Sequence, residues 1–460
     1  MSAHRQNAHL THKANAEAGR HGWLRLTPAY SVRLVRDRIR HLPPDTVVID
    51  PFSGSGTTVL AAAEHGCAGV ALDVNPFLVW LGNVKAAAYP AELLRGLRDE
   101  VAHLTAQAAK CAADAPDLWA PRLHNIGRWW SPETLAALKC LRHALDEAAL
   151  PGPALDLLSI AFCRTAIGTS NAAFNHQSMS FKATPRSSDA AAGAGSPGER
   201  VAGLPGERVA GLPGERVAGL PGERVAGLSG SCGAGPPRTT AETFEIVTRR
   251  FEAESGEIVR GAEACLPGSG RVVAGDARTL DADGLRRCDL LLTSPPYVNR
   301  MSYIRELRPY MYWLRFLDQA SNAGELDWTA IGGTWGVATS RLNDWDCGGN
   351  VLSIERELNA VRARIERDGG RNGPLLGTYV TKYFHDMAEH FDAAFRQVKS
   401  GGRVSYIVGN STFYGHVVPA ERWYADLLRD AGFTGVEITV LRKRNSNLAL
   451  YEYEVTGERP

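Results

Sequence analysis

The chain has 460 residues, 44% of them hydrophobic and 22% charged, with 51 Lys and Arg against 50 Asp and Glu. That length holds two or three domains and a large core, while a formal net charge of +1 excludes a global basic field, so contact with nucleic acid falls to local patches. Residues 1–20 are polar, no apolar stretch of spanning length follows, and the eight cysteines lack CxxC or Cys/His spacing. This pattern predicts no signal peptide, no membrane partner, no metal, reduced thiols and a cytoplasmic location.

Residues 1–20 read as a disordered N-terminus. From residue 21 a loop containing Leu26-Thr27-Pro28-Ala29-Tyr30 feeds a helix capped by Ser31, with apolar positions 32, 34, 35, 39 and 42 at roughly helical spacing. Residues 46–50 (TVVID) form a short buried strand, Pro51-Phe52-Ser53-Gly54-Ser55-Gly56 a glycine turn, and Thr57 opens a helix to residue 64. A second strand, residues 69–73, ends in the carboxylate of Asp73. Strand, glycine turn, helix, strand and acid follow one another as in a Rossmann-like nucleotide site. The glycines bring the backbone close to the ligand, and the acid takes the ribose hydroxyls. The turn is the short GSG rather than GxGxxG. Residues 21–90 are therefore read as a cofactor-binding half.

Residues 91–182 are helical and rich in Ala and Leu, an inserted subdomain that could carry target recognition. Trp129-Trp130, before the Ser131 cap, reads either as core or as a base-stacking pair. Residues 171–182 (NAAFNHQSMSFK) read either as a polar loop or as a reader of base edges. Residues 183–242 are low in complexity. GERVAGLP starts at 198 and recurs from 206, 214 and 222, the last time with Ser229 in place of Pro. An eight-residue unit punctuated by Gly and Pro cannot propagate a helix or a ladder and reads as a disordered linker.

Residues 243–460 form the second half. Residues 244–259 read as a helix and 271–277 as a strand ending in Asp276. The strand of residues 289–294 runs into Ser294-Pro295-Pro296-Tyr297. Two prolines in a row fix φ and remove two N–H groups, which leaves the Ser294 hydroxyl and the Pro295 carbonyl as acceptors beside the Tyr297 ring. A flat ring carrying two N–H donors, the exocyclic amine of a nucleobase, suits such a corner. Beyond it, Arg300, Arg305, Arg308 and Arg315 interleave with aromatics, either to meet phosphates and a displaced base or as a solvated helix face. Pro309 is expected to break this element, and residues 318–375 read as polar and irregular. A helix over 378–398 stopped by Gly401-Gly402, a strand over 403–409, a loop over 410–419 and a helix over 421–431 follow. Last come paired strands over 436–441 and 449–455. The turn between them holds Arg442, Lys443 and Arg444, a basic tip for phosphate or solvent.

DPFSGSGTT followed by ALDVNP resembles motifs I and II of the S-adenosylmethionine-dependent amino-methyltransferases of DNA. TSPPY resembles their motif IV, in the form associated with cytosine N4 rather than the DPPY form commoner for adenine N6. The resemblance implies an α/β, Rossmann-like methyltransferase fold with a mixed, mostly parallel seven-stranded sheet. It implies S-adenosyl-L-methionine as cofactor, double-stranded DNA as substrate and a cognate restriction endonuclease as a second partner. It places Asp50 near the methionine amino group, borders the cofactor with Pro51, Phe52, Ser53, Gly54, Gly56 and Thr57, and gives the ribose to Asp73 with Val74 and Asn75 beside it. Thr27 and Tyr30, at the position of motif X, would close over the methionine tail. Asp276, in a GDA similar to motif III, would face the adenine, unless it serves only to cap its turn. At the catalytic corner Ser294 and the Pro295 carbonyl would accept the amine hydrogens, Pro296 would stiffen the turn and Tyr297 would stack. Arg300, Arg305, Arg308 and the RKRNS stretch at 442–446, similar to motif VIII, would meet DNA. The chain departs from the commonest motif order, since its cofactor half comes first, which leaves residues 90–182 and 318–375 both open as the target-recognition region. An adenine-N6 enzyme, an RNA amino-methyltransferase and a catalytically silent DNA-binding relative are the alternatives.

Overall fold

The computed structural model describes residues 12–24, 26, 30–114, 117–175, 178–181, 239–299, 302–333, 337–444 and 449–460. Thr27, Arg300 and the GERVAGLP repeats lie outside the described residues.

Seven strands share one sheet: β1 (Val47–Asp50), β2 (Ala68–Asp73), β3 (Ser269–Ala274), β4 (Cys288–Thr293), β5 (Val398–Gly409), β6 (Thr434–Lys443) and β7 (Tyr451–Glu458). Their order is β6-β7-β5-β4-β1-β2-β3, with every pair parallel except those of β7, which runs antiparallel to both neighbours. This is the mixed, mostly parallel α/β sheet of a Rossmann-like methyltransferase fold. The central runs are continuous Val, Ile and Leu because both faces are covered: Val48, Ile49, Leu72, Leu291 and Leu292 are all at most 1% exposed. The strand order reverses between β1 and β4, so a crevice opens at their carboxyl ends.

Helices α1 (Val32–Ile39), α2 (Thr57–Glu64) and α3 (Pro76–Ala86) belong to the cofactor half. Four longer helices, α4 (Ala91–Asp114), α5 (Pro132–Glu147), α6 (Gly152–Gly168) and α7 (Thr240–Ala262), form a helical layer. One hydrophobic core runs through this layer into α3 and into α8 (Ile304–Trp313). Helix α7, opened by a capping box of Thr239 and Glu242, thus packs with the insert rather than with the strands that follow it. Trp129 and Trp130 are core, and Trp130 Nε1 donates to the Ala166 carbonyl at 2.7 Å.

Several segments differ from their sequence reading. Residues 12–22 form two short 3₁₀ turns, and Arg20, only 3% exposed, reaches from them into the fold. Its guanidinium donates to the carbonyls of Lys85 and Ala87 at the end of α3 and of Gly261, Ala262 and Ala264 at the end of α7. Five N–H donors suit the unpaired carbonyls at two helix ends. Pro309 sits inside α8 without breaking it, because the Arg305 carbonyl that a proline leaves unpaired accepts from Arg308 Nε at 3.2 Å. Residues 318–375 are largely helical, with α9 (Ala320–Thr329), a short helix Val337–Asn343 and α10 (Glu355–Asp368). Leu358, Val361 and Ile365 of α10 bury one stripe against α11 (Gly373–Gln397). Gly401 and Gly402 do not end α11 but lie inside β5, where the register with β4 shifts. Residues 171–182 and 410–419 carry small hairpins, Ala172–Asn175 with Ser178–Phe181 and Ser411–Phe413 with His416–Val418. The helix α12 (Ala420–Asp430) precedes β6. Among the described residues no helix is long and apolar enough to cross a membrane, no group of His, Cys, Asp and Glu could hold a metal ion, and the cysteines are unpaired.

Candidate active site at the carboxyl ends of β1 and β4

The site begins with the turn after β1. Gly54 takes positive φ (+50°), the conformation glycine adopts at least cost, and so turns its N–H onto Asp73 Oδ2 at 3.0 Å. Asp73 Oδ1 accepts from the Asn75 N–H at 2.9 Å, and Asn75 in turn caps α3 through the Phe77 N–H at 3.0 Å. Burial pushes the Asp73 carboxyl up to about 6 against these backbone hydrogen bonds, which favour the charged form.

Asp50 lies behind this wall rather than at its surface. Its carboxylate accepts from the Phe52 N–H at 3.0 Å, the Thr293 hydroxyl at 2.5 Å and the Thr58 hydroxyl at 2.6 Å, and the Tyr30 hydroxyl bonds Thr58 in turn. Asp50 therefore ties the ends of β1 and β4 to α2. Burial pushes its carboxyl up to about 7, with the Thr293 and Thr58 hydroxyls and the Phe52 amide pulling the other way. Gly56 and Thr57 also stand away from the cavity. Gly56 (φ +74°) faces α3, where a Cβ would come within 3.1 Å of Gly82 Cα.

A cavity of about 110 Å³ opens in front of these elements. Of the residues singled out in the sequence it is lined by Tyr30, Pro51, Phe52, Ser53, Gly54, Asp73, Val74, Asn75, Asp276, Ser294 and Pro296. Stretches more than 200 residues apart are thus brought to one wall. The opposite wall was not foreseen and consists of Leu78, Tyr303, Ile304 and Leu307 at the α8 entry, Asp327, and residues 329–333 after α9. Asp327, 1% exposed, accepts from the Ser302 hydroxyl at 2.6 Å. Arg278 fastens this wall to the sheet by pairing with Asp276 at 2.6 Å and donating to the Thr329 carbonyl at 2.8 Å. The floor is fixed by His390, fully buried, with Nδ1 on the Ala277 carbonyl at 2.7 Å and Nε2 on the Tyr406 hydroxyl at 2.9 Å. Burial lowers His390 to about 4, so it is neutral, and its ring packs edge-on to Phe52 at 5.0 Å.

The charged side chains that line the cavity are carboxylates, one of which, Asp276, is paired with Arg278. Asp73, Asp276 and Asp327 line it, and no Lys, Arg or His does among the described residues. Such a wall repels a phosphate and suits a ligand with a positive centre and hydroxyls to donate.

At the corner after β4, Ser294 donates its hydroxyl proton to the Ile407 carbonyl at 3.0 Å. Both lone pairs of its oxygen therefore stay available as acceptors. The Pro296 carbonyl is held by the Tyr383 hydroxyl at 2.6 Å, which is itself bonded to Tyr424 at 2.6 Å. Pro295 and Tyr297 do not line the cavity. The Tyr297 hydroxyl donates to Glu452 at 2.6 Å, its N–H donates to the Tyr303 hydroxyl at 3.3 Å, and its ring carries the Arg444 guanidinium with Cζ 5.1 Å from the centroid.

The basic residues expected to meet DNA divide. Arg305 is exposed on α8, and Arg308 is half-buried against it. Arg442 is instead paired at 2.6 Å with Glu452, a carboxylate only 4% exposed, and Arg444 packs on Tyr297 with Nη2 on the Asn410 carbonyl at 2.5 Å. Both partners lie outside the turn and could not be seen in its composition. Lys443 ends β6.

No family model matches the chain, and no solved structure does. It is 28% identical over 176 residues to the type II methyltransferase M.BsoBI of Geobacillus stearothermophilus, a stretch covering 35% of this chain and 34% of that protein. It is 31% identical over 75 residues, 16% of this chain and 14% of the other, to the type II methyltransferase M.MjaII of Methanocaldococcus jannaschii. The chain thus spans about a third and about a seventh of these curated relatives. Within those stretches it is similar to type II methyltransferases.

Proposed function

We propose that the protein is an S-adenosylmethionine-dependent DNA methyltransferase of the restriction-modification kind, acting on the exocyclic N4 amine of a flipped-out cytosine. The observation that carries this reading is that the glycine turn, Asp73, Ser294 and Pro296 all open onto one shared cavity, with carboxylates and no basic side chain among its described lining residues. That lining suits a sulfonium cofactor with a ribose, and the short GSG turn is not the GxGxxG that cradles a pyrophosphate. The similarity to two type II methyltransferases supports the same reading.

Bound S-adenosylmethionine supplies an electrophilic methyl group. The protein's part is orientation and electrostatics. Asp73 would take the ribose hydroxyls, Phe52 and Gly54 would border the cofactor, and Asp276 would face its adenine. The lone pair of the cytosine amine is conjugated into the ring. Ser294, able only to accept while its proton is donated to Ile407, and the Pro295 carbonyl would draw the two amine hydrogens out of the ring plane and expose that lone pair. The amine nitrogen would gain the methyl as the methyl–sulfur bond breaks to leave a neutral thioether, and one N–H proton would pass to solvent, so the ring ends neutral. Base pairing hides the amine in duplex DNA, so the base must leave the stack at a cost of a few kcal/mol. Arg305, exposed on α8, would meet the DNA backbone.

The test is mass spectrometry of nucleosides from plasmid DNA incubated with purified protein and methyl-labelled S-adenosylmethionine. Label in N4-methylcytosine is expected. Label only in N6-methyladenine would keep the enzyme class and reverse the base, while unlabelled DNA would end the proposal. Ser294→Ala should abolish labelling while the cofactor still binds.

A further inference from the structure

One donor beside Tyr297 is left unused by the proposed chemistry. The Arg444 guanidinium lies over the Tyr297 ring and is held by the Asn410 carbonyl. Its place is built into the backbone, since a Cβ on Gly409 would collide with Nη1. Tyr297 is equally fixed through its hydroxyl on Glu452, which also holds Arg442. Yet among the described residues Nε of Arg444 is buried without a hydrogen-bond partner, and so is the Ser411 hydroxyl one residue beyond Asn410. A buried donor left unpaired is destabilising. A packed arrangement that holds a guanidinium still while leaving one N–H unmet is suited to a ligand that completes it.

Resting on the methyltransferase reading, we propose that Arg444 is the base-specificity residue of the site, donating to the O2 and N3 acceptors of the target cytosine. The chemistry of the base edge selects this ligand. Cytosine carries N3 and O2 in succession beside its N4 amine, so one edge offers hydrogens to Ser294 and two acceptors to a guanidinium. Adenine carries N1 and then a C–H beside its N6 amine and would leave a donor of Arg444 unmet. A site built to hydrogen-bond a group discriminates strongly against an analogue that lacks it.

The experiment uses a duplex containing a cytosine that the unaltered protein methylates, with that base present as cytosine or as 2-thiocytosine, whose sulfur accepts hydrogen bonds weakly. Arg444→Met is expected to lower kcat/KM on cytosine by about 5- to 150-fold, the range for a lost bidentate base contact. Its S-adenosylmethionine dissociation constant should be unchanged, which also reports an intact fold. The thio substitution should slow the unaltered protein and leave Arg444→Met indifferent. Equal losses to 2-thiocytosine in both proteins, or full activity of Arg444→Met, would overturn the assignment and leave the methyltransferase reading standing. Methylation of adenine alone would overturn it too. No methylation of any DNA by the unaltered protein would bring down the underlying function, and this inference with it.

Discussion

Asp50 offers the sharpest test of the site's electrostatics, because replacement by Asn keeps the shape and removes the titration. Its carboxyl ordinarily titrates near 3.8 and here is pushed up to about 7 by burial. The native chain therefore keeps a proton that the unfolded chain releases above about pH 4. Stability falls as pH rises from there to about 7, and levels off beyond. At about 1.36 kcal/mol per pH unit the full difference is roughly 4 kcal/mol, of which roughly 3 kcal/mol falls between pH 5 and pH 8. Asp50→Asn has no such dependence, and its amide oxygen can still accept from Thr293 or Thr58. Urea unfolding followed by tryptophan fluorescence should show the stability difference, Asn variant minus unaltered protein, growing by about that amount from pH 5 to pH 8. Asp73, raised in the same direction, is present in both proteins and cancels. A difference that stays flat across this range would mean that the carboxylate is comfortable in its three hydrogen bonds and that burial does not dominate.

Four further outcomes are expected. Asp73→Ala should raise the S-adenosylmethionine dissociation constant at least about tenfold, the effect of roughly 1.4 kcal/mol, read by calorimetry. Tyr383→Phe removes the hydroxyl that holds the Pro296 carbonyl and should lower kcat about tenfold with cofactor affinity kept; an unchanged kcat would show that Pro296 needs no such support. Gly56→Ala forces a side chain into φ +74° against Gly82 and should destabilise by about 1–3 kcal/mol in a denaturant titration. Arg20→Met leaves five helix-end carbonyls without their donor and should remove at least about 3 kcal/mol, visible as a lowered Tm.

The parts of the fold written in short range were legible. TVVID and AGVALD announce strands by their β-branched runs, and GSG between an acid and a helix announces a tight ligand-facing turn. The Ser294 to Tyr297 corner shows itself by two prolines after an apolar run. What could not be read depends on partners far away in sequence. The polar Arg20 looks solvated until the carbonyls of residues 85–87 and 261–264 surround it. Arg442 and Arg444 look like a phosphate-binding tip until Glu452 and Tyr297 take them. Asp327 and the wall after α9 are carried to the cavity only by tertiary packing. In α10 a signal was present, since Leu358, Val361 and Ile365 keep helical spacing, but it is thin among charged residues. Pro309 is a propensity overruled by one neighbour, the Nε of Arg308.

The strand order has a consequence for how the molecule can be divided. Strands β1 and β2 precede residue 183, whereas the strands beside them, β4 next to β1 and β3 next to β2, both come after residue 238. Neither stretch owns a complete sheet, and Arg20 ties α3 of the first to α7 of the second. A chain severed between Phe181 and Thr239 would thus yield two fragments that are each other's missing interior. They would reassemble as an obligate pair rather than survive as two independent domains, and an eight-residue gain or loss between them would leave every strand neighbour unchanged.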